Sequence, residues 1–439
     1  MLFAFRFYCI IFADISMIMC KRLIILVVSL LFFVNESVIA QEASSQYSVL
    51  SPKANHRIDS MVQRCMDRHV IPGCQIMALY RGKVVYDRNF GCQTYDTTFP
   101  VNDATMYDVA SMTKSLATTL AAMKLFDDHL LRVTDKVSSY LDYTEGTAVG
   151  ELTVAELMTH TSGLSAFIPF YRDISPKGVW DARYLHAVPD SLFSVKVADS
   201  VYLRSDYPDT VLHKIAIYKL GQKKYVYSDL GFILMKEIVE KISGVPMDQY
   251  LSEHYYTPMH LQRTGFNPTE WTSVDNIAPT ENDTYFRKQQ LRGFVHDQSA
   301  AVFGGVCGNA GLFSTAHDVA VLLQMLMNGG EWEGRRYLSE KTVLQFVSTC
   351  PMHGCNRRGL GFDTPKFAGE TGLLPVQAGN KTYGHQGFTG TVFWCDPQND
   401  FIYIFLSNRV YPSAEENLLS KSRLRLLVHE EILRDLLEE

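Results

Sequence analysis

The chain has 439 residues, of which 47% are hydrophobic and 20% are charged, and its formal net charge is −6. These values are ordinary for a globular protein and allow a sizeable hydrophobic core. The sequence carries no basic stripe with interleaved aromatic residues, so we expect no nucleic-acid partner.

The first 40 residues differ in pattern from the rest of the chain. A basic pair, Lys21 and Arg22, precedes an apolar run over residues 23–34, and small residues suited to signal cleavage follow at Val38 and Ala40. This order of parts is typical of a secretory signal peptide. The apolar run is too short to span a bilayer comfortably, although an uncleaved anchor is the alternative interpretation.

We therefore expect residues 1–40 to be a signal peptide, with Met19 as a second candidate for the true start. Residues 41–439 would then form the mature protein. We expect it to be exported, to a periplasmic or other extracytoplasmic location, and to keep no stable membrane span after cleavage.

Helical and strand patterns can be placed along the chain from the spacing of apolar residues. Two apolar runs around a tight turn at residues 81–82 predict one hairpin, and a turn at residues 396–400 predicts a second. Between residues 165 and 224 the periodicity is weak, which indicates loops and short helices. The predicted helices are 56–70, 112–126, 153–159, 230–242, 316–327 and 420–437, and the predicted strands are 75–80, 83–86, 391–395 and 401–406.

Strand patterns therefore lie near both ends of the chain, and helical patterns dominate the middle. This order predicts an α+β fold, in which an antiparallel sheet built from both chain ends is flanked by helices and carries an inserted, mainly helical lobe. No internal repeat or low-complexity linker interrupts the chain. We expect residues 41–439 to form a single domain of two lobes.

Seven of the nine cysteines lie after residue 40, and only Cys350 and Cys355 are close enough in sequence to suggest a local bridge. Buried free thiols are the expected state for most of the seven. No C-x-x-C, H-E-x-x-H or other zinc-ligand spacing occurs. We therefore expect no metal site and no cofactor.

Ser111 and Lys114 form an S-x-x-K motif where a polar loop gives way to a helical pattern. Residues i and i+3 share one face of a helix, so the lysine amine can approach the serine hydroxyl. Serine needs such help, because a hydroxyl is a weak nucleophile until a base removes its proton. The alternative is a helix-capping serine beside a surface lysine.

Two further segments carry residues suited to chemistry. Tyr227-Ser228-Asp229 precedes a helical pattern, and Gly384-His385-Gln386-Gly387-Phe388 leads towards an apolar strand. Small residues at the start of a strand let a substrate backbone lie close alongside it. Taken alone, the tyrosine fits a core aromatic residue and the second segment fits a glycine-rich turn.

In this order, S-x-x-K, Tyr-x-Asp and His-x-Gly resemble the active-site motifs of the serine β-lactamase and penicillin-binding-protein superfamily, especially its class C β-lactamase, esterase and D-aminopeptidase members. The segments 152–164, 308–316 and 358–362 resemble connecting phrases of the same family. The likeness covers about residues 55–430. It implies a β-lactamase/transpeptidase-like form of the α+β fold, with one catalytic domain.

The resemblance also implies a role for each motif residue. Ser111 would attack a carbonyl carbon and form an acyl-enzyme, Lys114 would help to remove its proton, and Tyr227 would shuttle protons to the leaving group. A nearby ammonium favours the phenolate form of tyrosine, which gives Lys114 an electrostatic reason to lie beside Tyr227. The backbone amides of Ser111 and Phe388, next to Gly387, would form the oxyanion hole.

Two positions depart from the family pattern. His385 stands where penicillin-recognising members carry lysine, and a histidine is mostly neutral at pH 7, so it should hold a substrate carboxylate less well. Asp229 stands where many members carry asparagine. An ionised aspartate can only accept hydrogen bonds, so we expect Asp229 to pair with Lys114 or to accept an N–H from substrate. Both departures favour the esterase-like and D-amino-acid peptidase branches.

Other polar residues receive structural interpretations. His160 is expected to hold a loop beneath the nucleophile helix. His296-Asp297 resembles part of a catalytic triad, but the family motifs already supply the bases. Arg357 and Arg358 are candidate contacts for a substrate carboxylate, although a solvated pair is favoured.

We expect an exported serine hydrolase that cleaves an ester or amide bond in a small molecule or peptide through an acyl-serine intermediate. The alternative among enzymes is a D-alanyl-D-alanine carboxypeptidase or weak β-lactamase with a substrate derived from the cell wall. The alternative of another class is a catalytically idle relative that only binds ligands in the same cleft. The joint presence of Ser111, Lys114 and Tyr227 disfavours that last alternative.

Overall fold

A six-stranded antiparallel sheet joins the two ends of the described chain. The computed structural model describes residues 46–355, 357–365 and 373–438, so the predicted signal peptide lies outside the described residues. Residues Gln46–Glu439 cluster as one compact unit. The strands are β1 (Tyr47–Ser48), β2 (Gly73–Tyr80), β3 (Lys83–Gly91), β4 (Tyr107–Asp108), β5 (Leu185–His186), β6 (Val195–Ala198), β7 (Val201–Leu203), β8 (Asn282–Asp283), β9 (Gln289–Gln290), β10 (Phe313–Ser314), β11 (Glu331–Trp332), β12 (Arg335–Arg336), β13 (Tyr383–Gln386), β14 (Val392–Asp396) and β15 (Phe401–Ser407).

The strand order of this sheet is β1-β3-β2-β15-β14-β13. Strands β2 and β15 pair in register from Tyr80↔Phe401 to Cys74↔Ser407, so an early strand and a late strand are neighbours in the sheet. The predicted sheet built from both chain ends is confirmed, as are both predicted hairpins.

Helices surround the sheet and form most of the middle of the chain. They are α1 (Pro52–Asp67), α2 (Leu120–Asp127), α3 (Val154–Met158), α4 (Tyr171–Ile174), α5 (Tyr207–Ala216), α6 (Asp229–Ser243), α7 (Met247–Leu251), α8 (Gln298–Val302), α9 (Ala316–Met327), α10 (Glu340–Val347), α11 (Leu418–Ser422) and α12 (Leu424–Glu438). Short 3₁₀-helices occur at Ala110–Met112, Val137–Ser139, Asp142–Thr144, Pro176–Gly178, Pro268–Glu270 and Val274–Asn276, and π-helices at Lys114–Thr119 and Ser252–Tyr256. Across the described ranges, no helix is both long enough and apolar enough to cross a membrane.

Three helix predictions need correction. Helix α1 begins before the predicted residue 56, because Ser51 accepts a hydrogen bond from Ala54 as N-cap and Pro52 suits the first turn. The predicted helix 112–126 is instead a 3₁₀ turn, a π-helix and then α2. The predicted last helix is broken at Arg423, whose φ is +57°.

The weakly patterned region 165–224 contains more regular structure than predicted. Strands β5, β7 and β6 form a small sheet there, and α5 follows them. Strands of two to four residues are too short to show an alternating pattern, so the sequence did not indicate this sheet.

The large sheet is buried on both faces. Along β2, Met77 and Leu79 join one hydrophobic cluster, whereas Ile76 and Ala78 join the other, as the two-residue period of a strand requires. Residues of α1 and α12 complete the second cluster, and the helical middle of the chain completes the first. The seven described cysteines are free thiols, so Cys350 and Cys355 are not bridged.

Candidate active site

Ser111 lies in a sharp turn that follows β4. The preceding residue, Ala110, has a φ of +47°, in the left-handed region that costs energy for a residue with a Cβ. The Asp108 carboxylate stabilises this turn, since its Oδ1 accepts a hydrogen bond from the Ala110 amide at 2.8 Å. Its Oδ2 accepts a second bond from the His296 amide at 2.7 Å. Backbone strain of this kind is frequent at functional sites.

Lys114 is fully buried and begins the π-helix three residues after Ser111. Its Nζ donates to Ser111 Oγ at 2.9 Å, to Asp229 Oδ1 at 2.6 Å and to the carbonyl oxygen of Asn309 at 2.9 Å. An ammonium has three hydrogens, so these partners satisfy all of its donors. The predicted approach of Lys114 to Ser111 and the predicted pairing of Asp229 with Lys114 are both present.

The charges of this pair stabilise each other. Burial alone would lower the pKa of Lys114, but the Asp229 carboxylate and Tyr227 outweigh it, and the pKa of the ammonium is raised. Burial raises the pKa of Asp229 although Lys114 opposes that change. Asp229 is also the first residue of α6, where the partial positive charge of a helix N-terminus favours a carboxylate. We conclude that Lys114 is an ammonium at neutral pH.

Tyr227 lies against this charged pair. Lys114 Nζ is 5.0 Å from the centre of the Tyr227 ring, and the His160 ring packs on the same side chain at 4.4 Å between centroids. Burial raises the pKa of Tyr227, and the charge of the Lys114 ammonium and the proximity of Lys114 and Ser111 only partly offset that rise. Lys114 lowers the pKa of Tyr227, as expected of an ammonium beside a phenol, but desolvation is the larger effect, so the phenol is the favoured form.

His160 holds the backbone beside Tyr227. Its Nδ1 accepts a hydrogen bond from the Ser228 amide at 3.1 Å. Burial lowers the pKa of His160 well below its ordinary value, so the ring is neutral and its Nδ1 is free to accept. These contacts agree with the structural role expected for His160.

The segment between β13 and β14 packs directly on the Ser111 turn. The Gly387 amide donates to the Thr391 carbonyl at 2.8 Å, and the Gly390 amide donates to the Gly387 carbonyl at 3.1 Å. The Thr389 hydroxyl donates to the Asp108 carbonyl at 2.7 Å. A Cβ on Gly387 would lie 2.0 Å from Thr391 Oγ1 and 2.4 Å from the Val109 carbonyl oxygen, so only glycine permits this approach.

His385 lies on β13 and is 2% exposed. Its Nδ1 donates to the Gln386 carbonyl at 2.9 Å, and its ring centre is 6.1 Å from that of Tyr227. Burial lowers the pKa of His385 to about 3, although the nearby Asp363 carboxylate opposes this change. The ring is therefore neutral at pH 7, as predicted, but burial rather than its ordinary pKa is the cause.

The predicted site residues share one cavity of about 750 Å³. Ser111, Tyr227, Asp229, His385, Gly387 and Phe388 line it. Lys114 lies beneath Ser111 and is joined to the cavity wall through its bonds to Ser111 and Asp229. The Phe388 side chain is 55% exposed and stands at the wall.

Arg358 is not part of a solvated pair. It is fully buried and forms an ion pair with Asp363, whose carboxyl pKa the guanidinium helps to lower against the effect of burial. Arg357 lies 5.5 Å from the centre of the Tyr225 ring and lines the cavity. The solvated-pair interpretation is wrong because an adjacent carboxylate stabilises the buried charge of Arg358.

His296 and Asp297 also line the cavity but are engaged elsewhere. His296 Nε2 lies 3.1 Å from Glu281 Oε2. Asp297 caps α8 by accepting from the Ala300 amide at 2.7 Å, and accepts from Asn309 Nδ2 at 3.0 Å. These contacts give Asp297 a capping role rather than the place of a triad acid.

Three residues near the site were not predicted from the sequence as site residues. Asn309 contributes a backbone carbonyl to Lys114, Asp108 stabilises the Ser111 turn, and Arg409 Nε donates to the Phe388 carbonyl at 2.8 Å. Asn309 lies in a segment already noted for its family likeness. Asp108 and Arg409 act on backbone groups, and such contacts leave no motif in a sequence.

Among the described residues, one group has the geometry of potential metal ligands. Atoms of Asp87, Asp103 and His317 lie within 4.8 Å of one another, and His317 Nε2 is 3.0 Å from Asp87 Oδ2. None of the three lines the Ser111 cavity. The group therefore has no part in the site described above.

Comparisons with known proteins identify the family of the chain. The Beta-lactamase family model matches residues 58–426. A relative from Salmonella heidelberg (strain SL476), named as a proposed D-alanyl-D-alanine carboxypeptidase, is 30% identical over 414 residues, which cover 88% of this chain and 90% of the relative.

Two solved structures share the fold. The octameric penicillin-binding protein homologue from Pyrococcus abyssi has a TM-score of 0.63 at 20% identity, with 88% of this chain and 77% of that chain covered. EstCE1, a hydrolase with promiscuous acyltransferase activity, has a TM-score of 0.62 at 19% identity, with 86% and 98% covered. The fold is therefore β-lactamase/transpeptidase-like. The chain belongs to the β-lactamase family and is a serine hydrolase of that family.

Proposed function

We propose that this chain cleaves an ester or amide bond through an acyl-serine intermediate on Ser111, and that it is an exported enzyme. The observation that carries the proposal is the hydrogen bond of 2.9 Å between Lys114 Nζ and Ser111 Oγ, in a cavity that also contains Tyr227. A serine beside a buried ammonium and a partly buried phenol is poorly suited to a purely structural role, because removing such groups from water costs free energy.

In this proposal the Ser111 oxygen attacks the substrate carbonyl carbon, and its proton passes to Tyr227. Lys114 stays an ammonium and stabilises the phenolate from which Tyr227 acts as a base. The same proton then passes from Tyr227 to the leaving group, and water hydrolyses the acyl-serine. The amides of Ser111 and Phe388 stabilise the oxyanion, a contribution of about 2.7–4 kcal/mol per donor in other hydrolases.

Because burial raises the pKa of Tyr227, the phenolate is a minor species at neutral pH. We therefore expect acylation to accelerate as the pH rises. The buried, neutral His385 supplies no positive charge for a penicillin carboxylate. The lack of charge at the His385 position favours esters, or peptides that contain D-amino acids, over penicillins.

A second candidate is a D-alanyl-D-alanine carboxypeptidase that acts on cell-wall peptides. It is favoured by the 30% identity to a relative named for that activity. Its substrate is a peptide amide rather than an ester, so the two candidates predict different preferred substrates.

The test compares steady-state hydrolysis of 4-nitrophenyl butyrate with release of D-alanine from diacetyl-L-lysyl-D-alanyl-D-alanine by the purified chain. The first candidate predicts the larger kcat/KM with the ester, and the second predicts it with the peptide. Ser111→Ala should abolish both activities. Hydrolysis that survives this substitution would contradict the proposed nucleophile.

A further inference from the structure

His296 and Glu281 form a largely buried pair in the wall of the Ser111 cavity. Both residues line that cavity. His296 Nε2 lies 3.1 Å from Glu281 Oε2, and the two side chains are 8% and 10% exposed. The proposed acylation does not use this pair, because Tyr227 and Lys114 handle the serine proton. The site therefore contains a second titratable pair to which no role has been assigned.

Glu281 is held as a carboxylate against the His296 ring. The Tyr285 hydroxyl donates to Glu281 Oε2 at 3.0 Å, and the Ala414 amide donates to Oε1 at 3.4 Å. Burial alone would raise the pKa of Glu281, but its hydrogen bonds and the nearby imidazole outweigh burial, and the pKa is lowered. A carboxylate can only accept, so it selects the imidazole tautomer in which Nε2 carries the hydrogen.

The other ring nitrogen of His296, Nδ1, is left with a free lone pair in that tautomer. Among the residues that the structure describes, Nδ1 has no hydrogen-bond partner, and it is not one of their buried, unpartnered polar atoms. It therefore keeps contact with the solvent of the cavity that His296 lines. An imidazole with one nitrogen on a carboxylate and the other open to a cavity has the arrangement of a general base.

The position of His296 is next to the reaction centre. The Asp108 carboxylate accepts from the Ala110 amide at 2.8 Å and from the His296 amide at 2.7 Å, so it ties His296 to the residue that precedes the nucleophile. The His296 ring stacks on the Phe388 ring, with 5.5 Å between centroids and 24° between planes. Since the Phe388 amide is the proposed second oxyanion donor, the imidazole lies beside the proposed oxyanion hole.

Hydrolysis of the acyl-serine needs a base that Tyr227 is poorly suited to supply. The attacking water must lose a proton as its oxygen bonds to the acyl carbon. Once the leaving group has taken its proton from Tyr227, burial favours the return of Tyr227 to the phenol. A phenol is a poor proton acceptor, whereas a neutral imidazole nitrogen with a free lone pair is a good one. Nδ1 of His296 meets this requirement.

We propose that His296, oriented by Glu281, is the general base that hydrolyses acyl-Ser111. This inference rests on the proposed function and adds a catalytic residue to its second half. Water transfers a proton to Nδ1 while its oxygen forms a bond with the acyl carbon. The bond between that carbon and Ser111 Oγ then breaks, and the imidazolium returns the proton to Oγ, so the acid product leaves and the serine is restored. The negative charge of Glu281 stabilises the imidazolium in between.

The test separates the formation of the acyl-enzyme from its loss. Stopped-flow release of 4-nitrophenol from 4-nitrophenyl butyrate gives the rate of acylation. Intact-protein mass spectrometry, after excess ester has been removed, gives the rate at which the butyryl group leaves Ser111. His296→Gln should acylate at close to the unmodified rate and lose its butyryl group on the order of 10²-fold more slowly. Glu281→Gln should slow the same loss by about tenfold or more, because the imidazolium then lacks its counter-charge.

Two further variants distinguish a base from a structural ring. His296→Phe keeps a ring that can stack on Phe388 but removes both nitrogens, so it should lose the butyryl group as slowly as His296→Gln. Normal loss in His296→Phe would mean that the ring only positions Phe388, and would overturn the proposal. His317→Gln is the matched control, since His317 Nε2 also lies 3.0 Å from a carboxylate oxygen, that of Asp87, but neither residue lines the cavity. Both of its rates should equal those of the unmodified chain.

Chemical rescue provides a measurement that a structural role would not affect. His296→Ala leaves space for a free imidazole molecule, so added imidazole should accelerate the loss of its butyryl group. It should have no such effect on His296→Phe, whose ring fills that space. Loss of acylation together with hydrolysis in all the His296 and Glu281 variants, or the absence of rescue, would overturn the proposal.

Failure of this inference is distinguishable from failure of the proposed function. If the unmodified chain releases 4-nitrophenol no faster than Ser111→Ala, and no variant accumulates butyryl-Ser111, then the acyl-serine and its base are both overturned. If Ser111 is acylated, but the His296 and Glu281 variants lose the butyryl group at the unmodified rate, then only the role of His296 is overturned.

Discussion

Lys114, Asp229 and Tyr227 determine the proton chemistry of the site. Lys114 is held as an ammonium by Asp229 at 2.6 Å, and burial together with the Asp229 charge keeps Tyr227 a phenol. Asp229 therefore opposes formation of the proposed base. The presence of Asp229 therefore predicts that acylation is slow at neutral pH and faster at alkaline pH.

Asp229→Asn should move the rising limb of kcat/KM to lower pH by about one pH unit or more. The sign follows from the charge, because Asp229 raises the pKa of both Lys114 and Tyr227, and its removal lowers both. The measurement is the pH profile of ester hydrolysis. Asp142→Asn, which removes an exposed carboxylate beside Lys241, is the control and should leave the profile in place. If the rising limb of kcat/KM in Asp229→Asn stays at the same pH or moves to higher pH, Asp229 does not raise the pKa of the catalytic base as proposed.

At the scale of elements, the turn between β13 and β14 depends on its contact with the Ser111 turn. Thr389 and Thr391 donate hydrogen bonds to the carbonyls of Asp108 and Val109. Gly387 lies where no Cβ fits. The geometry of the proposed oxyanion hole therefore depends on how closely these two backbone segments pack.

Gly387→Ala should lower kcat on the order of 10²-fold, the cost of one lost oxyanion donor. The added methyl group would meet a backbone carbonyl oxygen at 2.4 Å, so the turn and the Phe388 amide must move. Gly221→Ala serves as control, since its nearest neighbour would be 3.4 Å away, an ordinary contact. Full activity in a folded Gly387→Ala variant would show that the Phe388 amide does not stabilise the oxyanion.

Elements with a clear apolar period were predictable, and helix α9 was placed at its observed bounds. The π-helix after Ser111 was not predictable as such. Its side chains repeat much as those of an α-helix do, so the sequence indicated one ordinary helix there. In the site, the spacing of S-x-x-K indicated the Lys114–Ser111 contact directly. The roles of Asn309 and Arg409 depend on backbone carbonyls and tertiary pairing, which a single sequence does not encode in any local pattern.

At the scale of the whole molecule, α1 and α12 hold the two ends of the described chain together over one face of the sheet. The Asp435 carboxylate accepts from the Ser51 amide at 2.7 Å and from the Ser51 hydroxyl at 2.6 Å. Between α12 and the sheet, the His429 ring stacks on Tyr403 at 4.5 Å and on Phe401 at 5.5 Å. Neither His429 nitrogen has a hydrogen-bond partner in the described chain.

His429→Phe should stabilise the fold, and more so in acid. Burial lowers the pKa of His429 to about 3, so between about pH 6.5 and pH 3 the unfolded chain binds a proton that the folded chain does not. The native chain therefore loses stability as the pH falls through that window. The increase in the free energy of unfolding on His429→Phe should therefore be about 2 kcal/mol larger at pH 5 than at pH 8.

Urea denaturation at pH 5 and pH 8 measures that difference. Tyr403→Phe is the matched control, because it removes a neighbouring buried hydroxyl without a partner, and tyrosine does not titrate in this range. Its effect on the free energy of unfolding should be equal at both pH values. A His429→Phe effect that does not grow in acid would contradict a neutral, buried His429.

The central claim is that Ser111 is the nucleophile, and covalent labelling tests it most directly. The purified chain is treated with a fluorophosphonate and, separately, with a penicillin, and the modified residue is located by mass spectrometry with Ser111→Ala as control. We predict a fluorophosphonate adduct on Ser111 and no lasting penicillin adduct. A lasting penicillin adduct on Ser111 would favour cell-wall peptide processing and contradict the substrate preference inferred from His385. A chain that is labelled by neither reagent would contradict the acyl-serine mechanism itself.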